Sequence, residues 1–153
     1  TDGYLGFFAP MEISGTMEEA SVTLFLRDFD AQGMGRRLKA VETFAKAVEA
    51  KFPTGKVSVS HTEQYRNMKE KLDKAPQVME KLIQAVKNIG IKPVFNPIRG
   101  GTDGARLTEL GIPTPNIFTG SHNYHSASEW VSLTQMVKAT DIVITLSNLI
   151  TKI

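Results

Sequence analysis

Apolar and polar positions alternate twice near the start of the chain: Met11 and Ile13 flank Glu12, and beyond Ser14-Gly15-Thr16 the alternation resumes at Val22, Leu24 and Leu26. A two-residue period suits strands with one covered face, and the break between the runs predicts an antiparallel pair. Leu38, Val41, Ala45, Val48 and Phe52 then recur at spacings of three and four, the stripe of an amphipathic helix that Pro53-Thr54-Gly55 stops. Val57 and Val59 alternate with Ser58 and Ser60 and predict a third strand. His61 is in register with the two valines and is expected to be packed and hydrogen-bonded. Two strands, a helix and a further strand make most of a small α+β sandwich, with its opening elements expected upstream.

The rhythm then changes. Val78, Met79, Leu82, Ile83, Val86 and Ile89 form one apolar helical face, which Gly90 can end. A short strand is expected near Val94, a brief helix up to Leu110, an apolar strand within Ile112 to Phe118, a polar loop with two histidines, and a last helix from about Leu133 to Ile153. Helix alternating with strand is the pattern of an α/β layer, so the fold class is α/β, an α+β portion followed by an α/β portion. The polar stretch from Tyr65 to Ala75 is the expected boundary, giving domains of 1–70 and 71–153. There is no internal repeat or low-complexity tract.

Composition narrows the function classes. The 18 basic and 16 acidic residues leave a formal charge of +2, too little for the concentrated positive field that a phosphate backbone requires, so nucleic acid is not an expected partner. Cysteine is absent, which excludes disulfides, thiol nucleophiles and thiolate-bound metal. Metal chemistry would have to use histidine and carboxylates. No apolar run approaches the roughly 20 residues that span a bilayer, and the start lacks a signal pattern, so no membrane partner is expected. The chain opens at Thr1 and leads at once into strand-like sequence, which suggests a segment of something longer.

Three places carry candidate chemistry. The loop Ser121-His122-Asn123-Tyr124-His125-Ser126 follows the apolar strand, where α/β folds place their sites. Its histidines read either as metal ligands or as solvated loop residues, and one ligand cannot define a site that needs three or four. Arg99-Gly100-Gly101-Thr102-Asp103-Gly104 combines a fork-shaped cation, glycines that admit close backbone approach, and a capping residue. It reads either as an anion-binding corner or as a capped turn with a surface arginine; a Walker ending is absent, which disfavours a nucleotide loop. Arg27 ends a largely apolar strand and points away from the face of Leu24 and Leu26, toward a ligand or toward an ion pair with Asp28 or Asp30. Trp130 and Phe118 read as core or interface filling.

Taken in order, Leu26-Arg27-Asp28-Phe29-Asp30, Tyr65-Arg66-Asn67-Met68, Pro97-Ile98-Arg99-Gly100-Gly101-Thr102-Asp103-Gly104 and Pro115-Asn116-Ile117-Phe118-Thr119-Gly120 leading to Asn123-Tyr124-His125 resemble the C-terminal part of a tripeptide aminopeptidase of the M20 metallopeptidase family. The resemblance covers nearly the whole chain. It implies a cytoplasmic enzyme with two zinc ions in a catalytic domain, interrupted by a lid domain that makes a homodimer contact. Residues 1–70 would finish the lid and 71–153 the catalytic domain. His125 would match a metal-binding histidine, Arg99 the arginine that holds a substrate carboxylate, and Arg27 a lid arginine with a related role, with Gly100, Gly101, Thr102 and Asn67 also on the substrate side. The family's other metal ligands and its glutamate general base would lie upstream. No catalytic residue is therefore expected here, and the segment alone is expected to be inactive toward a tripeptide. Two rival readings are another M20 hydrolase, such as an aminoacylase or a glutamate-type carboxypeptidase, and a non-catalytic dimerisation module.

Overall fold

The computed structural model describes residues 3–151. The chain divides into two units, one taking in the sequence up to Gln64 together with Asn96–Arg99, the other Tyr65–Phe95 and the sequence from Gly100 onward.

In the first unit the alternating runs pair as expected. Strand β1 (Phe7–Gly15) lies antiparallel to β2 (Ala20–Arg27), with Phe7 opposite Arg27 and Gly15 opposite Ala20. The register slips between Pro10 and Glu12, beside a proline that has no N–H to give the ladder. At the tip, the Thr16 hydroxyl accepts from the backbone N–H groups of Glu18 and Glu19 at 3.2 Å each, closing the connection. Residues 10–23 are exposed throughout, and cover begins at Leu24. Helix α1 (Ala31–Lys51) starts at Asp30, whose carboxylate accepts from the Gly33 N–H at 2.6 Å. Met34, Leu38, Val41 and Ala45 are partly covered, whereas Val48 and Phe52 at the end of the expected stripe are exposed.

The expected third strand is not formed. Residues 55–67 have no regular secondary structure, and His61 is exposed rather than packed. Alternation supplies a strand's side-chain pattern, but a strand also needs a neighbour for its backbone groups, and none of the described residues pairs with Val57–Val59. The stretches near Val94 and from Ile112 to Phe118 are irregular for the same reason.

The second unit is built on α2 (Lys69–Leu72), α3 (Pro76–Asn88), α4 (Asp103–Glu109), two short strands β3 (Ser121–His122) and β4 (Trp130–Val131), and α5 (Leu133–Thr151). Its core is the seam of α3 and α5: Leu82, Ala85 and Ile142 are buried, and Val86, Ile89, Ile117, Leu146 and Leu149 pack around them. Leu82, Val86 and Ile89 are positions that the helical stripe selects, whereas the fully buried Ala85 is not among them. Ile117 joins this core from the irregular stretch without any ladder bonds. The expected end of the last helix at residues 152–153 lies outside the described residues. Helices with small antiparallel sheets agree with the α/β class expected from the sequence. No helix among the described residues is long and apolar enough to cross a membrane.

Candidate functional site

The glycine corner divides at Arg99. Arg99 groups with the first unit, Gly100, Gly101 and Thr102 with the second. Thr102 is the N-cap of α4, its hydroxyl accepting from the Ala105 N–H at 3.2 Å, which is the role its residue type predicts. Gly101 and Gly104 are glycine for want of room. A Cβ at 101 would strike the Tyr65 ring, and one at 104 would come within 2.6 Å of the Thr114 carbonyl oxygen. Gly100 has open space around it. Behind α4, buried Thr108 accepts from the Thr114 N–H at 2.9 Å, tying the helix to the chain that leads to the histidine loop. Asn67 accepts from the Lys69 N–H at 2.9 Å and so holds the entry to α2.

In the first unit, Arg99 donates through Nη2 to the Leu5 carbonyl, and its guanidinium stands 5.7 Å from the centre of the Phe7 ring. Phe7 is the register partner of Arg27, so the two arginines gather at the open end of the β1–β2 pair. Arg27 donates to Gln64 Oε1 at 2.7 Å and to the Leu26 carbonyl at 3.2 Å, and lies 5.0 Å from the Phe25 ring centre. The acidic neighbours have structural posts. Asp28 accepts from Arg37 Nε at 2.9 Å and from the Phe29 N–H at 2.8 Å, while Asp30 caps α1. Sequence spacing had offered Asp28 and Asp30 as partners for Arg27; the Asp28–Arg37 pair spans nine positions and no local pattern announces it.

The histidine loop is a built turn. β3 and β4 pair Ser121 with Val131 and His122 with Trp130, so that residues 123–129 leave and return at one place. The His122 and Trp130 rings stack at 4.2 Å and 15° across this stem. Trp130 is thus half-exposed and partnered by an imidazole rather than filling a core, and Phe118 too is partly exposed. Within the turn, Ser126 donates to the Asn123 carbonyl from its N–H at 3.2 Å and from Oγ at 2.8 Å, and the Glu129 N–H donates to the Ser126 carbonyl at 3.1 Å. Asn123 and His125 have φ of 55° and 65°, the left-handed region that side chains other than glycine seldom occupy. The His125 N–H donates to Glu129 Oε2 at 3.1 Å, and its side chain is exposed. Sequence reasoning missed Glu129 and the stem. The available signal was a serine-rich turn closed by an acidic residue and a Trp-Val pair.

Whether these residues suit a pair of zinc ions can be tested on donor chemistry. Among the described residues no group of three or more histidine, aspartate or glutamate side chains comes together as a metal site would require. His125 offers one imidazole, and His122 has its ring face against Trp130. The described residues do not by themselves fit a zinc centre, and no chemical step follows from them through a metal.

Comparison with known proteins places the chain. A profile of peptidase family M20/M25/M40 matches residues 7–148. The chain is 42% identical to a protein named peptidase T from Clostridium perfringens over 144 residues, which is 94% of this chain and 36% of that protein. It is 40% identical to peptidase T of Shouchella clausii over 98% of this chain and 37% of that protein, and 41% identical to that of Listeria welshimeri over 97% and 36%. The chain therefore spans a little over a third of the length of the relatives it matches. A match running through both units, from β1 into α5, assigns the chain to peptidase family M20/M25/M40.

Proposed function

We propose that this chain forms part of a zinc-dependent aminopeptidase that removes the N-terminal residue of tripeptides. Peptidases of the family are generally metal-dependent. The observation that carries the reading is the match, along nearly all of the chain, to proteins named peptidase T. The choice of zinc and of tripeptides rests on the motif resemblance.

In this reading residues 1–70 belong to a lid that also makes a homodimer contact, and 71–153 to a catalytic domain, in the cytoplasm. His125 gives one imidazole to a metal centre completed by residues outside this chain. Arg99 holds the substrate's terminal carboxylate through its planar fork, with Arg27 in support, and Gly100, Gly101, Thr102 and Asn67 are further substrate-side residues by the motif resemblance.

The test uses an enzyme of the relatives' full length that carries this chain, supplied with zinc. It should cleave a free-amino tripeptide and leave the N-acetylated peptide and an N-acyl amino acid intact. Preferential hydrolysis of the N-acyl amino acid would mark a different M20 hydrolase, and no turnover of any of the three would leave a dimerisation module.

A further inference from the structure

We infer that Phe7 is a positioning residue for Arg99, its ring fixing the plane in which the guanidinium offers its N–H groups. The inference rests on the reading of Arg99 as the group that holds the substrate's terminal carboxylate. A guanidinium donates only in its own plane, so it grips a carboxylate with two N–H groups at once only when that plane meets the carboxylate edge-on. The arginine stem is long, and a single hydrogen bond such as the one to the Leu5 carbonyl fixes a direction and not a plane. A ring against the guanidinium face supplies the plane, and takes up no N–H in doing so.

The open end of the β1–β2 pair is built this way twice. Phe7 lies opposite Arg27 in the ladder and Ala9 opposite Phe25, so these four side chains share one face of the pair. Arg99 stands over Phe7 at 5.7 Å from the ring centre, and Arg27 over Phe25 at 5.0 Å. Each guanidinium also donates to a neutral oxygen, Arg99 to the Leu5 carbonyl and Arg27 to Gln64 Oε1 at 2.7 Å. A ring on the face and an acceptor at the edge therefore recur at both arginines. Phe7 is half-buried and its backbone is held by the ladder, so with only two side-chain torsions the ring is the stiff member of its pair and the arginine the member it orders.

The experiment measures kcat and KM of the full-length enzyme on a tripeptide and on its C-terminally amidated form, for the parent, Phe7→Leu, Phe7→Tyr and Arg99→Lys. Leucine keeps apolar bulk and removes the ring, whereas tyrosine keeps the ring. Phe7→Leu should raise KM for the free-carboxylate tripeptide by about 3–30-fold, the span of cation–π attraction, with kcat and the amidated substrate close to the parent. Phe7→Tyr should restore the parental KM. An equal change on both substrates in Phe7→Leu, or the same loss in Phe7→Tyr, overturns the positioning role. An unchanged KM in Phe7→Leu, where Arg99→Lys loses on the free carboxylate alone, overturns it too and leaves the reading of Arg99 standing. Equal losses on the two substrates in Arg99→Lys remove that reading, and this inference with it. Should Phe7→Leu fail to fold, pentafluorophenylalanine in place of Phe7 keeps the shape of the ring and reverses its charge distribution. The same rise in KM is then expected, and a parental KM overturns the inference.

Discussion

Arg99 makes contacts that a lysine would treat unequally. Its guanidinium both donates to the Leu5 carbonyl and faces the Phe7 ring, and the proposed function adds a substrate carboxylate. Arg99→Lys keeps the charge and loses the planar fork. If the fork grips the tripeptide's terminus, kcat/KM should fall by the equivalent of about 1.5–3 kcal/mol, as for other charge-assisted bonds. On a C-terminally amidated tripeptide the variant and the parent should then perform alike. The alternative, in which Arg99 serves only Leu5 and Phe7, predicts an equal loss on both substrates and a lower unfolding midpoint. Steady-state kinetics and thermal unfolding on the same preparations decide between them. Residue type and setting left Arg99 open between an anion-binding corner and a surface arginine, and its contact with Leu5, 94 positions away, had no signal in the sequence.

Helix α1 contains two glycines whose replacement should act in opposite directions. Gly35 has nothing near the place a Cβ would occupy, so Gly35→Ala should stabilise the protein by about 1 kcal/mol through helix propensity and a less free unfolded chain. Gly33 is buried, and a Cβ there would run into the Asp28 carboxylate; Gly33→Ala should therefore destabilise despite the same propensity gain. Denaturant midpoints of the two variants, measured side by side, check the sign reversal. Asp28→Ala belongs to the same junction. The Asp28 side chain is only 9% exposed and its removal strips Arg37 of its partner, at an expected cost of about 1–3 kcal/mol in the same measurement. Periodicity made β1, β2, α1, α3 and most of α5 legible, because each has a long stripe or alternation to read. It failed for Val57–Val59 and Ile112–Phe118, where the pattern was present but no backbone partner was. It also failed for β3 and β4, since two residues cannot express a period. The family resemblance singled out His125, but a motif says nothing about φ, so the left-handed backbone at the apex could not be read from the sequence.

At the scale of the whole molecule, the 153-residue polypeptide taken alone should not turn over a tripeptide, and any zinc it binds should be held weakly, since one imidazole is a fraction of a catalytic coordination shell. A discontinuous peptidase assay with added zinc checks this, and turnover above that of a His125→Ala control would refute it. The way the chain is shared between its units bears on how it can be taken apart. Residues 96–99 belong with the first unit although the sequence on either side of them belongs with the second, so the polypeptide passes from one to the other three times. No single cut separates them. A product ending at Gln64 would keep β1, β2 and α1 yet forfeit the short return that carries Arg99 to Leu5 and Phe7, while one starting at Tyr65 would carry those four residues with nothing of their own to rest on. Limited proteolysis near Gln64 should accordingly leave two pieces that stay associated until denaturant is added, and grafting the first unit onto another scaffold would demand three junctions rather than one.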